Sequence, residues 1–350
     1  MAFLLYDNMK QPATTPAQPH PLPSRYHWFY FVAGLIFLAL AKTKNRLRGY
    51  VTPKPFSITE TEKSVAYDLR IVDQWLARLQ GITGSSNIEG KHILELGPGS
   101  DLGIGLYLLA KGAASYSACD VHPLVYNTPD HFYDQLLQAI RLRDPSADTD
   151  SLRQAWLDWK NGQPSKLRYV VRKDFDFCTA FGESSMDLVF SQAAFEHFDD
   201  FPAVANQLFR ICKSGARIVA EIDLKTHSRW IRDHDPNNIY RYPNWLYRWF
   251  YFPGIPNRLR PRHYRAAFEQ AGWNSLAITP STIAPRTRKP PRGCTGPLPP
   301  PKTKCIGYPW LSPPRSRNRA NSRPRRSPAA LTCGEICLAL SRASENNRRQ

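Results

Sequence analysis

Two glycines and two acids between residues 95 and 120 carry the clearest chemical signal. His92-Ile93-Leu94-Glu95-Leu96-Gly97-Pro98-Gly99-Ser100-Asp101-Leu102-Gly103 reads as a short strand, a glycine turn and the opening of a helix. A second strand ends at Cys119-Asp120-Val121-His122-Pro123. Glycine lets backbone approach a ligand closely, and a helix N-terminus offers unpaired N–H groups. An acid about 20 positions beyond the turn can accept hydrogen bonds from both ribose hydroxyls. The combination suits a nucleoside cofactor.

The missing glycine narrows the choice of nucleoside. A dinucleotide fold needs G-x-G-x-x-G to seat its pyrophosphate, but position 102 is Leu and the next glycine, Gly103, comes one residue late. Glu95 is a poor neighbour for a pyrophosphate and a good one for a cationic amino-acid group. The segment resembles motif I of the class I S-adenosylmethionine-dependent methyltransferases, D/E-x-G-x-G-x-G, in their bacterial, small-molecule branch. Glu95, Gly97 and Gly99 match, and Asp101 stands where the third glycine is expected. The resemblance implies a Rossmann-like α/β fold, a parallel sheet with helices on both faces, ending in an antiparallel hairpin with strand order 3-2-1-4-5-7-6. It implies S-adenosyl-L-methionine as cofactor, with Glu95 receiving the methionine ammonium, directly or through water. Gly97 and Gly99 would line the methionine, Asp120 the ribose, and Asp174 with Phe175 the adenine; Asp176 is a rival for the last acidic role.

Ser191-Gln192-Ala193-Ala194-Phe195-Glu196-His197 follows the fourth strand, where open α/β sheets bind ligands. It resembles the S-Q-A-x-x-E-H run of the small-molecule branch and adds Ser191 to the cofactor residues. The N/D-P-P-Y signature of nucleobase amino methylation and any Pro-Cys pair are absent from the sequence. In-line displacement at a sulfonium asks mainly for alignment, and a base only for a hydroxyl or protonated amine. His197 is the candidate base, with Glu196 beside it, although the pair could instead orient the loop. Asp223 and His227 end the fifth strand on the same rim. Downstream, Trp245, Tyr247, Trp249, Phe250, Tyr251 and Phe252 alternate with Arg241, Arg248 and Arg258, as a lid over an apolar or anionic acceptor or, for most of them, as packing.

The elements that must position these groups follow from hydrophobic period. Val65, Leu69, Val72, Leu76 and Leu79 make one helical face, started by a capping box at Thr59-Glu60-Thr61-Glu62 and ended by Gly81. Short apolar runs predict strands at 115–120, 167–171, 187–190 and 217–222. Residues 129–163 read as two helices broken at Asp144-Pro145. A last helix over 262–271 precedes a strand over 273–278. The expected domain is thus 55–278.

Flanking segments differ in kind. Residues 1–25 are Pro/Gln/Thr-rich and expected to be disordered. Residues 26–48 predict an apolar helix with a basic flank. Its apolar run, 28–41, would reach about 21 Å as helix, short of the roughly 30 Å hydrocarbon core. Membrane attachment, spanning or interfacial, and docking on the domain are both open, so the expected location is cytoplasmic with membrane association through 28–41. Residues 280–350 hold +13 of the formal net charge of +18. This Pro/Arg-rich tail reads as disordered, either a basic arm for RNA or anionic lipid or a non-native end that replaced the closing hairpin. The second reading leaves the hairpin incomplete and the fifth strand with an open edge. Nucleic acid is otherwise not expected as a partner. Seven cysteines without paired C-x-x-C spacing argue for reduced thiols and against zinc; no metal is expected. The function expected is methyl transfer to a small-molecule, sugar or lipid-linked acceptor. The alternatives are a non-catalytic membrane or nucleic-acid adaptor and a nucleotide-dependent oxidoreductase.

Overall fold

The computed structural model describes residues 26–49, 58–283 and 333–342; the expected disordered segment 1–25 lies outside them. Helix α1 (Tyr26–Arg48) precedes α2 (Ile58–Thr83), after which strands and helices alternate. They are β1 (His92–Leu96), α3 (Gly103–Ala110), β2 (Ser115–Asp120), α4 (Asp130–Arg143), α5 (Thr149–Lys160), β3 (Leu167–Val171), α6 (Phe177–Phe181), β4 (Met186–Gln192) and α7 (Phe201–Ile211). Then come β5 (Cys212–Asp223), α8 (Arg229–His234), α9 (Asn244–Trp249), α10 (Pro261–Gln270), β6 (Asn274–Ile283) and β7 (Cys333–Ser341).

The seven strands form one mixed sheet in the order β3-β2-β1-β4-β5-β7-β6. Strands β1 to β5 are parallel, as short apolar strands joined by helical crossovers require. Alternation along each strand divides the core. Ile93, Tyr116 and Phe190 face a layer built from α2, α3, α4 and α5. Leu94, Val189 and Ile218 face one built from α6, α7 and α10. The chain reverses its direction of sheet growth between β1 and β4, so their carboxyl ends open a crevice between diverging loops.

Two expectations at the termini need correction. The closing hairpin is complete: β7 lies far out in the segment read as a tail, antiparallel to β5 from Arg217↔Ser341 to Asp223↔Glu335, and also pairs with β6. The edge of β5 is therefore covered, and the tail is not a replacement for the hairpin. Ile336, Leu338 and Leu340 enter the α7/α10 core while Cys337 enters the other, the near-continuous apolar run of a strand buried on both faces. At the other end, α2 begins at Ile58, one residue before the expected cap, and runs past Gly81 to Gly84, whose φ of 76° stops it.

Helix α1 docks rather than standing free. Asn238 Nδ2 donates to the Tyr30 carbonyl at 2.8 Å, and the Tyr242 hydroxyl donates to that of Phe31 at 3.0 Å. A Cβ at Gly34 would collide with both of those side chains, so glycine sets the close approach. Among the described residues no helix is long and apolar enough to cross a membrane.

Leu338 is fully buried at the centre of β7. Leu338→Ala should lower the unfolding free energy by about 2–5 kcal/mol, read as a fall in the urea midpoint at unchanged slope. A dispensable tail would give no change.

Candidate active site

The glycine turn leaves β1 with Gly97 at φ 74° and Gly99 at φ 79°, left-handed conformations that L side chains rarely adopt. A Cβ at Gly97 would sit 2.6 Å from Ala194 Cβ, whereas at Gly99 it would meet nothing within 4 Å. The first glycine therefore lets the loop after β4 close over the turn, and the second leaves open space for a ligand.

Acids cluster close to that turn. Glu95 is 1% exposed and accepts a hydrogen bond from the Tyr116 hydroxyl. Asp101 Oδ1 accepts from Gly103 N at 2.9 Å, where a third glycine of the motif was expected. Asp68, fully enclosed on α2, faces it across Gly103. Asp120, half-buried at the end of β2, accepts from His122 N at 3.0 Å. Burial, then the neighbouring charges of Asp101 and Asp120, pushes Glu95 up to about 8, despite the opposing Tyr116 bond. Burial likewise raises Asp101 to about 6, while Asp68 is raised well above the carboxylate range and holds the proton that the two share. Such a pocket is short of positive charge. Asp68 was not singled out from sequence, because it lies between the apolar positions of α2 and shows no motif.

The adenine side differs from expectation in detail. Arg172 forks onto Asp174 with two bonds of 2.8 Å, and this ion pair holds the exposed carboxylate down at about 2. Asp176 caps α6 through Thr179 N at 3.1 Å, a structural role. Phe175, at φ 53°, packs edge-on against Phe198 with ring centres 4.7 Å apart. Ser191 is fully buried and its hydroxyl donates to the Leu96 carbonyl at 3.1 Å. It ties β4 to β1 below the turn instead of lining open space.

Across the crevice, the loop after β4 carries Glu196 and His197. Asn257 secures this loop, its Nδ2 donating to the carbonyls of Phe195 at 2.9 Å and Phe198 at 3.0 Å. His197 donates through Nδ1 to the Gly254 carbonyl at 2.7 Å, and His227 through Nδ1 to that of Lys225 at 3.1 Å. The two rings meet edge-on, 4.9 Å between centres. Desolvation within the crevice lowers both pKa values, and for His227, which still reaches solvent, the neighbouring His197 adds to it. At pH 7 both imidazoles are neutral. Of the aromatic cluster, Tyr247 is buried with Tyr240 and Tyr242 in a small core under α1, so packing accounts for it, while Trp245 and Trp249 stay exposed.

This sheet order, with acids and glycines at the carboxyl ends of β1 and β2, defines the class I methyltransferase fold. Residues 66–278 match the family model described as a methyltransferase domain, so the chain belongs to that family of S-adenosylmethionine-dependent enzymes. No curated protein sequence matches it significantly. Among solved structures, it is similar to phosphoethanolamine N-methyltransferase 2 of Haemonchus contortus, with 14% identity, 60% of this chain and 39% of that chain covered, and a TM-score of 0.36. It thus spans about two fifths of that relative's length. A putative S-adenosylmethionine-dependent methyltransferase of Listeria monocytogenes shows 13% identity over 80% of this chain and 99% of its own, with a TM-score of 0.38.

The raised pKa of Glu95 fixes a sign. The folded, ligand-free protein retains a proton that the unfolded chain releases near 4.5, so this contribution to stability is present below that pH and lost as pH rises through about 8. Melting temperature should therefore decline over that window in the ligand-free protein, and less steeply in Glu95→Gln. Identical slopes for the two proteins would show that Glu95 is ionised in the empty pocket.

Proposed function

We propose that the chain transfers the methyl group of S-adenosylmethionine to a small-molecule acceptor, including sugar or lipid-linked ones. The observation carrying this reading is the buried acidic set around the glycine turn. The charged groups acting on Glu95 are Asp101 and Asp120, both negative, so the pocket suits a ligand that brings positive charge. When bound, the cofactor supplies an electrophilic methyl on sulfonium and leaves as a neutral thioether. Glu95 would hold the ammonium, Gly97 and Gly99 the methionine chain, Asp120 the ribose hydroxyls, and Phe175 with Asp174 the adenine side. A dinucleotide would set its pyrophosphate among these carboxylates, which disfavours an oxidoreductase. His197 would present its Nε2 lone pair on the acceptor side as the base that takes the proton of a hydroxyl acceptor.

A second observation favours acceptors at a lipid surface. Trp28, Phe29, Val32, Ile36 and Leu40 form an exposed stripe on the outer side of α1, Trp28 being 76% exposed, and Trp245 and Trp249 are exposed nearby. Lys42, Lys44, Arg46 and Arg48 follow the stripe. An apolar face beside basic residues suits anionic lipid lying against it, without spanning. The segment carrying α9 and Gly254 joins this face to the His197 loop.

Calorimetry should give micromolar binding of S-adenosylhomocysteine and none of NADH. Asp120→Ala should weaken that binding about tenfold or more, the worth of hydrogen bonds to a charged group. Equal binding of NADH, or an unchanged affinity in the variant, would count against the reading. For the lipid extension, the protein should sediment with phosphatidylglycerol vesicles at low salt, and the double variant Trp28→Ser, Trp249→Ser should remain in the supernatant. Equal sedimentation of both would reject this face.

A further inference from the structure

On the acceptor side, three side chains from two loops converge in a way that proton abstraction does not need. Glu196, His197 and His227 bring one potential ligand atom each within 4.8 Å of one another. Glu196 is 2% exposed, and its Oε1 accepts from Asp223 N at 3.3 Å. Its Oε2 is buried with no hydrogen-bond partner. A buried carboxyl oxygen without a partner is costly, and calls for a water, an ion or a ligand. Each imidazole commits Nδ1–H to a backbone carbonyl, of Gly254 and of Lys225 respectively. That arrangement fixes the tautomer and leaves Nε2 of both rings as a lone-pair donor, as metal-binding histidines are usually held.

We propose that Glu196 Oε2, His197 Nε2 and His227 Nε2 form a site for a divalent first-row transition cation that also binds the acceptor through oxygen. The inference rests on the methyl-transfer reading of the crevice and names the acceptor class for it, a hydroxyl compound. Two imidazoles and one carboxylate favour zinc, cobalt or iron(II) over magnesium, calcium or manganese, which suit oxygen-rich sets. With bonds of about 2.1 Å, ligand atoms around one ion lie roughly 3–3.5 Å apart, so any of these atoms separated by as much as 4.8 Å would have to draw inward. His227 is exposed and on a loop, which allows that adjustment and leaves the remaining coordination positions open to an incoming molecule.

The local charges permit a cation. Lys225 pairs with Glu335, and Arg232 with Asp223 and Glu335; Glu196 is then the acid left over for the ion. A hydroxyl bound to such a cation yields its proton to solvent at far lower pH than a free one, as zinc-bound water does at about 7. His197 therefore acts through the ion and does not itself take the proton. The absence of paired cysteines, which argued against zinc in the sequence, does not bear on a histidine–carboxylate site.

The test uses the full-length protein, dialysed against chelator and titrated with cobalt(II), then with zinc in competition. Visible d–d bands of the cobalt adduct should report nitrogen and oxygen ligation. His227→Ala and Glu196→Gln should each weaken binding by at least about tenfold, the effect that even outer partners of metal ligands commonly have. Affinity for S-adenosylhomocysteine, measured on the same samples, should change less than twofold. Absence of a cobalt spectrum at millimolar metal, or a spectrum indifferent to both substitutions, overturns the site. Loss of S-adenosylhomocysteine binding in the unaltered protein overturns the methyl-transfer reading instead. Because Glu196 is buried, His227→Ala, at an exposed position, decides the matter if Glu196→Gln fails to fold.

Discussion

A carboxyl group at the carboxyl end of a central parallel strand sits where helices on both faces exclude water. Glu95 is in that position, and the fold around it follows the demand this creates. Removing a carboxylate from water is expensive unless a positive charge or hydrogen bonds replace the solvent. The chain supplies one hydroxyl, from Tyr116, and places two further acids, Asp68 and Asp101, close by. The cost is met by retaining protons: burial holds Glu95 up at about 8 and Asp101 at about 6. Glu95 is held in place by its strand, β1, Asp68 by α2, and Asp101 by its bond to Gly103 N at the start of α3.

Much of this was legible because it is local. The first five strands and the paired helices after β2 declared themselves through short apolar runs, breaks and helical period. The glycine spacing distinguished a sulfonium nucleoside from a dinucleotide, since a single displaced glycine changes what the turn can seat. What could not be read was non-local. Strand β7 is separated from β6 by 49 residues, and the long Pro/Arg-rich stretch before it masks nine residues whose only oddity is a run of apolar character. A strand buried on both faces carries no alternation to betray it. Likewise Asp68 shows its place beside the turn only when α2 is laid over it, whereas the rim position of His227 after the fifth strand was already legible.

Two of the expected cofactor residues, Ser191 and Asp174, are engaged by protein partners of their own. Ser191 follows the motif in sequence, yet strand pleating turns its hydroxyl toward Leu96. Asp174 has the right type at the right place but is held by Arg172, so any ligand there meets a neutral pair and not a bare carboxylate. Resemblance fixes the residue type at a position, whereas the direction of a side chain depends on what the rest of the chain packs against it.

The segment from Asn238 to Arg258 links the two ends of the molecule that sequence reading treated separately. Asn238 and Tyr242 bind the backbone of α1. Gly254 and Asn257 bind the loop that carries His197 and Glu196. Arg258, at φ 62°, donates to the Tyr242 carbonyl and lies over the Tyr247 ring, joining both halves through one cation. Helix α1 and the loop carrying His197 are thus each held by hydrogen bonds from one continuous segment.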